Sequence, residues 1–306
     1  MEIRSVGIVG TGLMGMGIAR LVARAGIPVT IVKWSPGPLE DRRAAFIRSI
    51  EKERDDKKSV TAEEAARIIH GVQWTLATHP LESCDLVIES IVEDEDQKLD
   101  CFRKLDAVMK PDAILATNTS TLDVLELARE TSRAPQVLGM HFFNPVALMA
   151  LVEIAVTDLT DLATAERAFA FASSLGKEPV VVGNAPGFVV NRLLMASCME
   201  AVRMAFEARP RVADIKAVDR CVRLGLAHPK GPFELMDLIG LDVILAMAES
   251  LQEGLRNAHY APPLVLADMV AEGWFGQKSG IGFYDYREDR KNPRPNADIE
   301  RLLRGR

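Results

Sequence analysis

The chain has 306 residues, 48% of them hydrophobic and 26% charged, and carries a formal net charge of −6. It is too apolar for a disordered protein and long enough for one large domain plus a smaller partner. The acidic balance argues against a nucleic-acid partner, and the lack of a long apolar run argues against a membrane partner.

Ser5 to Val9 reads as a buried strand. It starts within a few residues of Met1, so no signal or transit segment is expected and the cytoplasm is the expected compartment. The strand runs into Gly10-Thr11-Gly12-Leu13-Met14-Gly15, a GxGxxG pattern opening a helix predicted from about Met14 to Ala25. Gly10 permits the tight turn, Gly12 lets the backbone approach a pyrophosphate, and Gly15 allows close helix packing. The helix N-terminus adds N–H donors and a positive dipole end. Val29 to Val32 completes a βαβ crossover. The fingerprint then requires an acidic residue about 20 positions on, for a ribose hydroxyl. Instead the sequence reads Ile31-Val32-Lys33-Trp34-Ser35. Lys33 either attracts a 2′-phosphate, with Ser35, Arg42 or Arg43 as further donors, or faces solvent while backbone groups hold the ribose.

The polar stretch Leu39 to Lys58 interleaves arginines and lysines with acids and predicts a solvated helical arm over the mouth of the site. Thr61-Ala62-Glu63-Glu64 is a capping box that starts a second short helix. Further strands are predicted at Leu86 to Ile91, Ala113 to Ala116, Gln136 to Met140, Leu151 to Val156 and Pro179 to Val182. The breaker cluster Gly183-Asn184-Ala185-Pro186-Gly187 ends the strand signals. The expected organisation is therefore α/β: a Rossmann-type dinucleotide-binding domain at 1–184, with a helical arm near 39–70, followed by an all-helical domain at 185–306. Its helices, Val190 to Ala208, Val212 to Leu224, Pro232 to Gly254 and Leu264 to Glu272, are apolar on more than one side. That excess predicts a homodimer through this second, substrate-binding domain. The charged, proline-bearing tail Arg287 to Arg306 is expected to be a surface extension. Cys84, Cys101, Cys198 and Cys221 have neither CxxC nor Cys/His metal spacing, which predicts free thiols and no metal site.

Two residues stand out as a proton-transfer pair. His141 follows an apolar strand at the sheet end where open α/β folds place ligands. Glu153 sits among Leu151, Val152, Ile154 and Ala155, where an unpartnered carboxylate is costly, and the Asn144-Pro145 turn can fold the two segments together. Pairing with Glu153 is expected to fix the tautomer of the imidazole, preparing His141 to accept a hydroxyl proton. The cluster Thr117-Asn118-Thr119-Ser120-Thr121 ends another strand; it either caps the helix near Asp123 or offers hydroxyls to a nicotinamide ribose or a substrate. Asn191, past the Pro-Gly breaker, is a candidate for the same cleft.

Together these motifs resemble the L-3-hydroxyacyl-CoA dehydrogenase family over nearly the whole chain. The resemblance is carried in order by Gly10 to Ala19, Val87-Ile88-Glu89 to Lys98, Asn118-Thr119-Ser120, His141-Phe142-Phe143-Asn144-Pro145, Pro186 to Arg192, Gly231-Pro232-Phe233-Glu234-Leu235 and Gly280 to Tyr284. It implies that His141 is the catalytic histidine, Glu153 its orienting glutamate, and Ser120 and Asn191 substrate contacts. The family's nicotinamide-side contacts fall on Glu93, Lys98, Ser120, Asn144 and Lys278, and its CoA-contacting serine on Ser49. Two positions depart from the pattern: Lys33 replaces an aspartate, and Ala150 stands where the family often has lysine.

The implied reaction is reversible NAD(P)-dependent oxidation of a 3-hydroxyacyl thioester of CoA in fatty acid metabolism. Lys33 points to NADP and the family to NAD. One alternative is a dehydrogenase acting on a carrier-protein-bound intermediate or on a free hydroxy or sugar acid. A catalytically silent dinucleotide-binding protein is the other.

Overall fold

The computed structural model describes residues 2–57, 60–207, 212–299 and 301. The chain divides into two compact units, Met1–Phe188 and Val189–Arg306.

In the first unit the elements run β1 (Val6–Val9), α1 (Leu13–Arg24), β2 (Val29–Val32), α2 (Leu39–Lys52), α3 (Ala62–His70), β3 (Val72–Thr75), β4 (Leu86–Glu89) and α4 (Glu95–Asp106). They continue as β5 (Ile114–Thr117), α5 (Val124–Arg129), β6 (Val137–Phe142), β7 (Leu151–Val156), α6 (Leu162–Ser174) and β8 (Glu178–Gly183). Among the described residues the eight strands form one sheet in the order β3-β2-β1-β4-β5-β6-β7-β8. Strands β1 to β6 are parallel; β7 runs antiparallel to β6, and β8 parallel to β7. Order reverses between β1 and β4, the switch point where such sheets bind ligands at their strand C-terminal ends.

The central strands are apolar on both faces because helices cover both. Leu86 and Ile88 pack with Ile18 and Val22 of α1, Ile68 of α3 and Phe171 of α6. Val87, one residue out of phase, packs with Cys101 and Phe102 of α4 and Leu127 of α5. Strand β3 lacks a sequence signal because it is a four-residue edge strand, buried only at Val72.

The arm is half docked rather than solvated all round. α2 continues into a π-helical turn at Glu53–Lys57, and Lys58 lies outside the described residues. Phe46 and Ile50 are buried, with the Phe46 ring edge-on to Trp74 at 5.4 Å between centroids. Arg20 of α1 donates to Glu53 at 2.6 Å, fastening the base of the arm. The capping box forms as its sequence requires: Thr61 Oγ1 accepts from Glu64 N at 3.1 Å, and Glu64 accepts from Thr61 N at 2.9 Å.

The second unit contains α7 (Val190–Val202), α8 (Ile215–Gly225), α9 (Pro232–Ile239), α10 (Leu241–Leu255) and α11 (Leu264–Ala271), with a short ladder of β9 (Tyr284–Asp285) and β10 (Arg294–Pro295). α7 ends in a π-helical turn at Arg203–Glu207, and Ala208 lies outside the described residues. The helix expected from Pro232 to Gly254 is two helices, broken at Gly240, whose φ of +112° is not helical. The tail packs further than its composition suggests, since Asn296 and Ile299 are both buried. Among the described residues no helix is long and apolar enough to cross a membrane.

Candidate active site

The antiparallel β6/β7 pair sets the centre of the site. Its register places His141 directly opposite Glu153. Directly opposite side chains in a sheet project from the same face, close enough to touch. His141 Nδ1 lies 2.7 Å from Glu153 Oε2, and the two residues are 6% and 1% exposed. His141 belongs to β6 itself, which runs two residues past the end expected at Met140. The Phe143 and Phe188 rings flank the imidazole, with centroids at 4.4 and 5.7 Å.

A chain of contacts joins this pair to the glycine turn. Gly10 has φ +117°, and a Cβ there would come 2.2 Å from the Ser90 carbonyl oxygen. The Ser90 hydroxyl accepts from Asn118 Nδ2 at 3.4 Å, and Asn118 Oδ1 accepts from Phe142 N at 2.9 Å. The C-terminal ends of β1, β4, β5 and β6 are thereby tied side by side.

Ser120 lies on the loop after β5. Its backbone N–H donates to Glu93 Oε1 at 3.0 Å, as does that of Thr121 at 3.2 Å, and the Thr119 and Thr121 hydroxyls donate to the same oxygen. Glu93 is in turn 3.2 Å from Lys98 Nζ. Burial opposes ionisation of Glu93, but Lys98 and these donors outweigh it and hold the carboxyl below its ordinary range. Lys98 is buried in the same way, and Glu89 and Glu93 hold its ammonium above the ordinary lysine value. The expectation of a direct nicotinamide contact therefore does not suit Lys98: it is 1% exposed, with its ammonium between two carboxylates. Asn144, by contrast, is exposed on the loop between β6 and β7.

Lys33 directly follows β2 and does not face solvent. It is 5% exposed, and its ammonium donates to the carbonyl oxygens of Ser35 and Pro36, the latter at 2.7 Å, with the Ser35 hydroxyl 3.5 Å away. Ser49, on α2, donates its hydroxyl to the Phe46 carbonyl at 2.7 Å. Asn191 and Lys278 belong to the second unit, Asn191 buried near the start of α7 and Lys278 paired with Asp242.

Comparison with known proteins decides the family. The family model "3-hydroxyacyl-CoA dehydrogenase, NAD binding domain" matches residues 5–185, and "3-hydroxyacyl-CoA dehydrogenase, C-terminal domain" matches 187–286. The chain belongs to the 3-hydroxyacyl-CoA dehydrogenase family. It is 42% identical over 286 residues to a 3-hydroxybutyryl-CoA dehydrogenase of Mycobacterium tuberculosis, covering 93% of this chain and 99% of the relative. It superimposes on the crystal structure of M. tuberculosis FadB2 with a TM-score of 0.88 at 41% identity, over 94% of this chain and 100% of that one. For the (S)-3-hydroxybutyryl-CoA dehydrogenase PaaH1 of Ralstonia eutropha the TM-score is 0.87 at 36% identity, with the same coverage. This family member is accordingly an NAD(P)-dependent oxidoreductase.

The glycine turn of this dehydrogenase fits a dinucleotide. A Cβ at Gly15 would come 2.1 Å from the Gly10 carbonyl oxygen, so the start of α1 packs as closely as its backbone allows. A Cβ at Gly12 would meet no atom within 4 Å, which leaves open space over the N-terminus of α1. No side chain caps that terminus and no acidic residue lies in its first turn, so its donors and dipole remain available to an anion. Leu13 is exposed beside this space and Met14 is half-buried.

Sequence gives Glu89 and Thr117 no role of their own, Glu89 standing only in a stretch of the family pattern and Thr117 only in the polar cluster after β5, although Glu89 ends the apolar run Leu86-Val87-Ile88 much as Glu153 interrupts its own. The argument that found Glu153, that a buried carboxylate must have a partner, applies equally to Glu89.

The turn geometry separates two glycine substitutions. Gly12→Ala should keep the wild-type melting temperature yet lose dinucleotide affinity by roughly tenfold or more, since one methyl group takes the space of a close backbone–phosphate approach. Gly10→Ala should lower the melting temperature itself. Calorimetry with cofactor titration checks both, and undiminished affinity in Gly12→Ala would contradict the pyrophosphate placement.

Proposed function

We propose that this enzyme reversibly oxidises the (S)-3-hydroxyl of an acyl-CoA thioester to the 3-oxo group, as part of fatty acid metabolism in the cytoplasm. The observation that carries this reading is the buried His141–Glu153 pair, 2.7 Å apart at the ligand-binding end of the sheet. With Nδ1–H donated to Glu153, Nε2 is the nitrogen that takes the proton from the C3 hydroxyl. Glu153 stabilises the imidazolium in a site where water is scarce, and Phe143 and Phe188 shield the ring. The bound nicotinamide supplies the acceptor for the hydride that leaves C3. In the reverse direction His141 returns its proton to the nascent alkoxide.

Gly10, Gly12, Leu13, Met14 and Gly15 hold the pyrophosphate. Glu93, Asn144 and Lys278 serve the nicotinamide side, Ser120 and Asn191 orient the substrate oxygens, and Ser49 meets the CoA. Ala150, in place of the family's frequent lysine, is the feature that favours a second reading, in which the acyl group rides on a carrier protein's phosphopantetheine arm. A turnover matrix of acetoacetyl-CoA, longer 3-oxoacyl-CoA, their carrier-protein thioesters and free hydroxy acids separates these substrates.

His141→Ala should lower kcat by roughly 10²- to 10⁴-fold, with cofactor affinity nearly unchanged, and Glu153→Gln should act in the same direction. Near-normal turnover in a folded His141→Ala protein would remove the pair from the mechanism.

Of the two nicotinamide cofactors, the end of β2 favours NADP. No carboxylate stands there to repel a 2′-phosphate, and the Lys33 ammonium is bound to two carbonyls with only a distant hydroxyl as third partner. A charge-assisted hydrogen bond contributes about 1.5 kcal/mol at the low end, which corresponds to roughly tenfold in kcat/KM. Lys33→Asp should reverse the preference. A wild-type enzyme that favours NAD severalfold would show that Lys33 serves only the turn.

The second unit supports a homodimer. Leu193, Leu224, Leu238, Val243 and Leu264 on its helices, and Leu226 just after α8, are large apolar side chains left exposed. Light scattering should give twice the chain mass at micromolar concentration, and a stable monomer there would refute this assembly.

A further inference from the structure

Glu89 closes β4 fully buried, and Lys98, in α4, is just as dry. The Lys98 ammonium contacts both Glu89 oxygens, at 2.7 and 2.9 Å, and one Glu93 oxygen at 3.2 Å. Glu89 also accepts from Ile91 N at 2.6 Å and from the Thr117 hydroxyl at 2.7 Å, which fixes it to β4 and β5 together. The other Glu93 oxygen gathers the donors of Thr119, Ser120 and Thr121. One ammonium between two carboxylates leaves a net charge of minus one, held by hydroxyls and backbone N–H groups.

We propose that Glu89 and Lys98 are positioning residues that act through Glu93: they hold it in place as a carboxylate, so that it clamps the Thr119–Thr121 loop, and with it Ser120, against the nicotinamide half of the cofactor. The proposal rests on the dinucleotide reading. In a sheet of this order the fingerprint turn and the end of β2 serve one mononucleotide, and the loops after β4 and β5 serve the other. The titratable groups around Glu93 are Lys98 of α4 and, across it, Glu89 of β4. Cys101 of α4 also senses Glu89, and burial keeps its thiol protonated. The loop after β5 presents hydroxyls and N–H groups.

The design has a signature that simple packing lacks. Lys98→Met leaves two carboxylates sharing a dry site, where like charge makes one of them keep a proton. An acid whose folded-state pKa is raised is neutral at low pH and ionises only as pH rises, so the clamp must weaken towards acid. The Kd for NADH, read by fluorescence, should rise roughly tenfold over wild type near pH 6 and approach it near pH 9. Glu89→Gln/Lys98→Met removes the competing carboxylate along with the ammonium. Its Kd should return to within about threefold of wild type, with no slope over that range. A packing role would leave the double variant at least as impaired as the single one.

Should Lys98→Met fold poorly, Lys98→Gln keeps hydrogen-bond donors without charge and must show the same slope. A flat, wild-type Kd in either single variant, or a slope that persists in the double variant, overturns the proposal. A wild-type enzyme that binds neither NADH nor NADPH would instead remove the dinucleotide reading, and this proposal with it.

Discussion

An ionised carboxylate is too costly to bury without partners, and the four buried ones among the described residues show how this chain meets that cost. Glu153 is answered by an imidazole across the sheet, and Glu89 by an ammonium and a hydroxyl. In the second unit Asp219 accepts from the backbone of Phe233 and from the Tyr284 hydroxyl. Asp237 accepts from the backbone of Phe283 and Tyr284 and from the Tyr286 hydroxyl, although burial still pushes its carboxyl up to about 7. The partner decides the use. Backbone and tyrosine donors cannot take up a proton near neutrality, so the aspartates pin α8 and α9 to the C-terminal hairpin. Of the four, Glu153 alone is partnered by a side chain whose second ring nitrogen can accept a proton from a ligand.

That difference originates in the sheet. Were β7 parallel to its neighbour like the strands before it, a helical crossover would separate it from β6, and nothing would bring residue 153 opposite residue 141. The antiparallel return after Asn144-Pro145 places them in register within a twelve-residue span. The parallel part of the sheet meanwhile brings the glycine turn to the same end. Asn118 joins the two parts, accepting from β6 while its amide reaches Ser90 after β4.

Much of this was legible in the sequence wherever a physical cost showed as a local pattern. β2 and β7 fall where apolar runs bounded by breakers place them, and the Thr61 cap forms as its spacing requires. Glu153 stood out because a carboxylate interrupted such a run. Elsewhere the deciding partner lay far along the chain. Glu89 looks like one polar residue within the strand expected over Leu86 to Ile91 until Lys98 and Thr117 are seen around it, and Gly240 looks like a tolerated helical glycine until its φ is known. For Lys33 the sequence leaves ligand contact and a solvent-facing side chain both open; burial onto the following turn, which removes the second, has no periodic signature.

Lysine burial links these cases to the overall charge. Lys33 and Lys177 are sunk onto backbone carbonyls, of Ser35 and Pro36 in one loop and of Val146 and Met149 in the other. Lys98 secures the loop after β5 through Glu93. Three loops at the ligand-binding end are thus fastened by ammonium groups before any ligand arrives, which lowers the ordering cost of binding. Lys33 and Lys177, held by neutral carbonyls, also place positive charge beneath the rim, where low dielectric extends its reach, while the first turn of α1 is kept free of acids. A chain of net charge −6 can therefore still present a favourable field to a pyrophosphate.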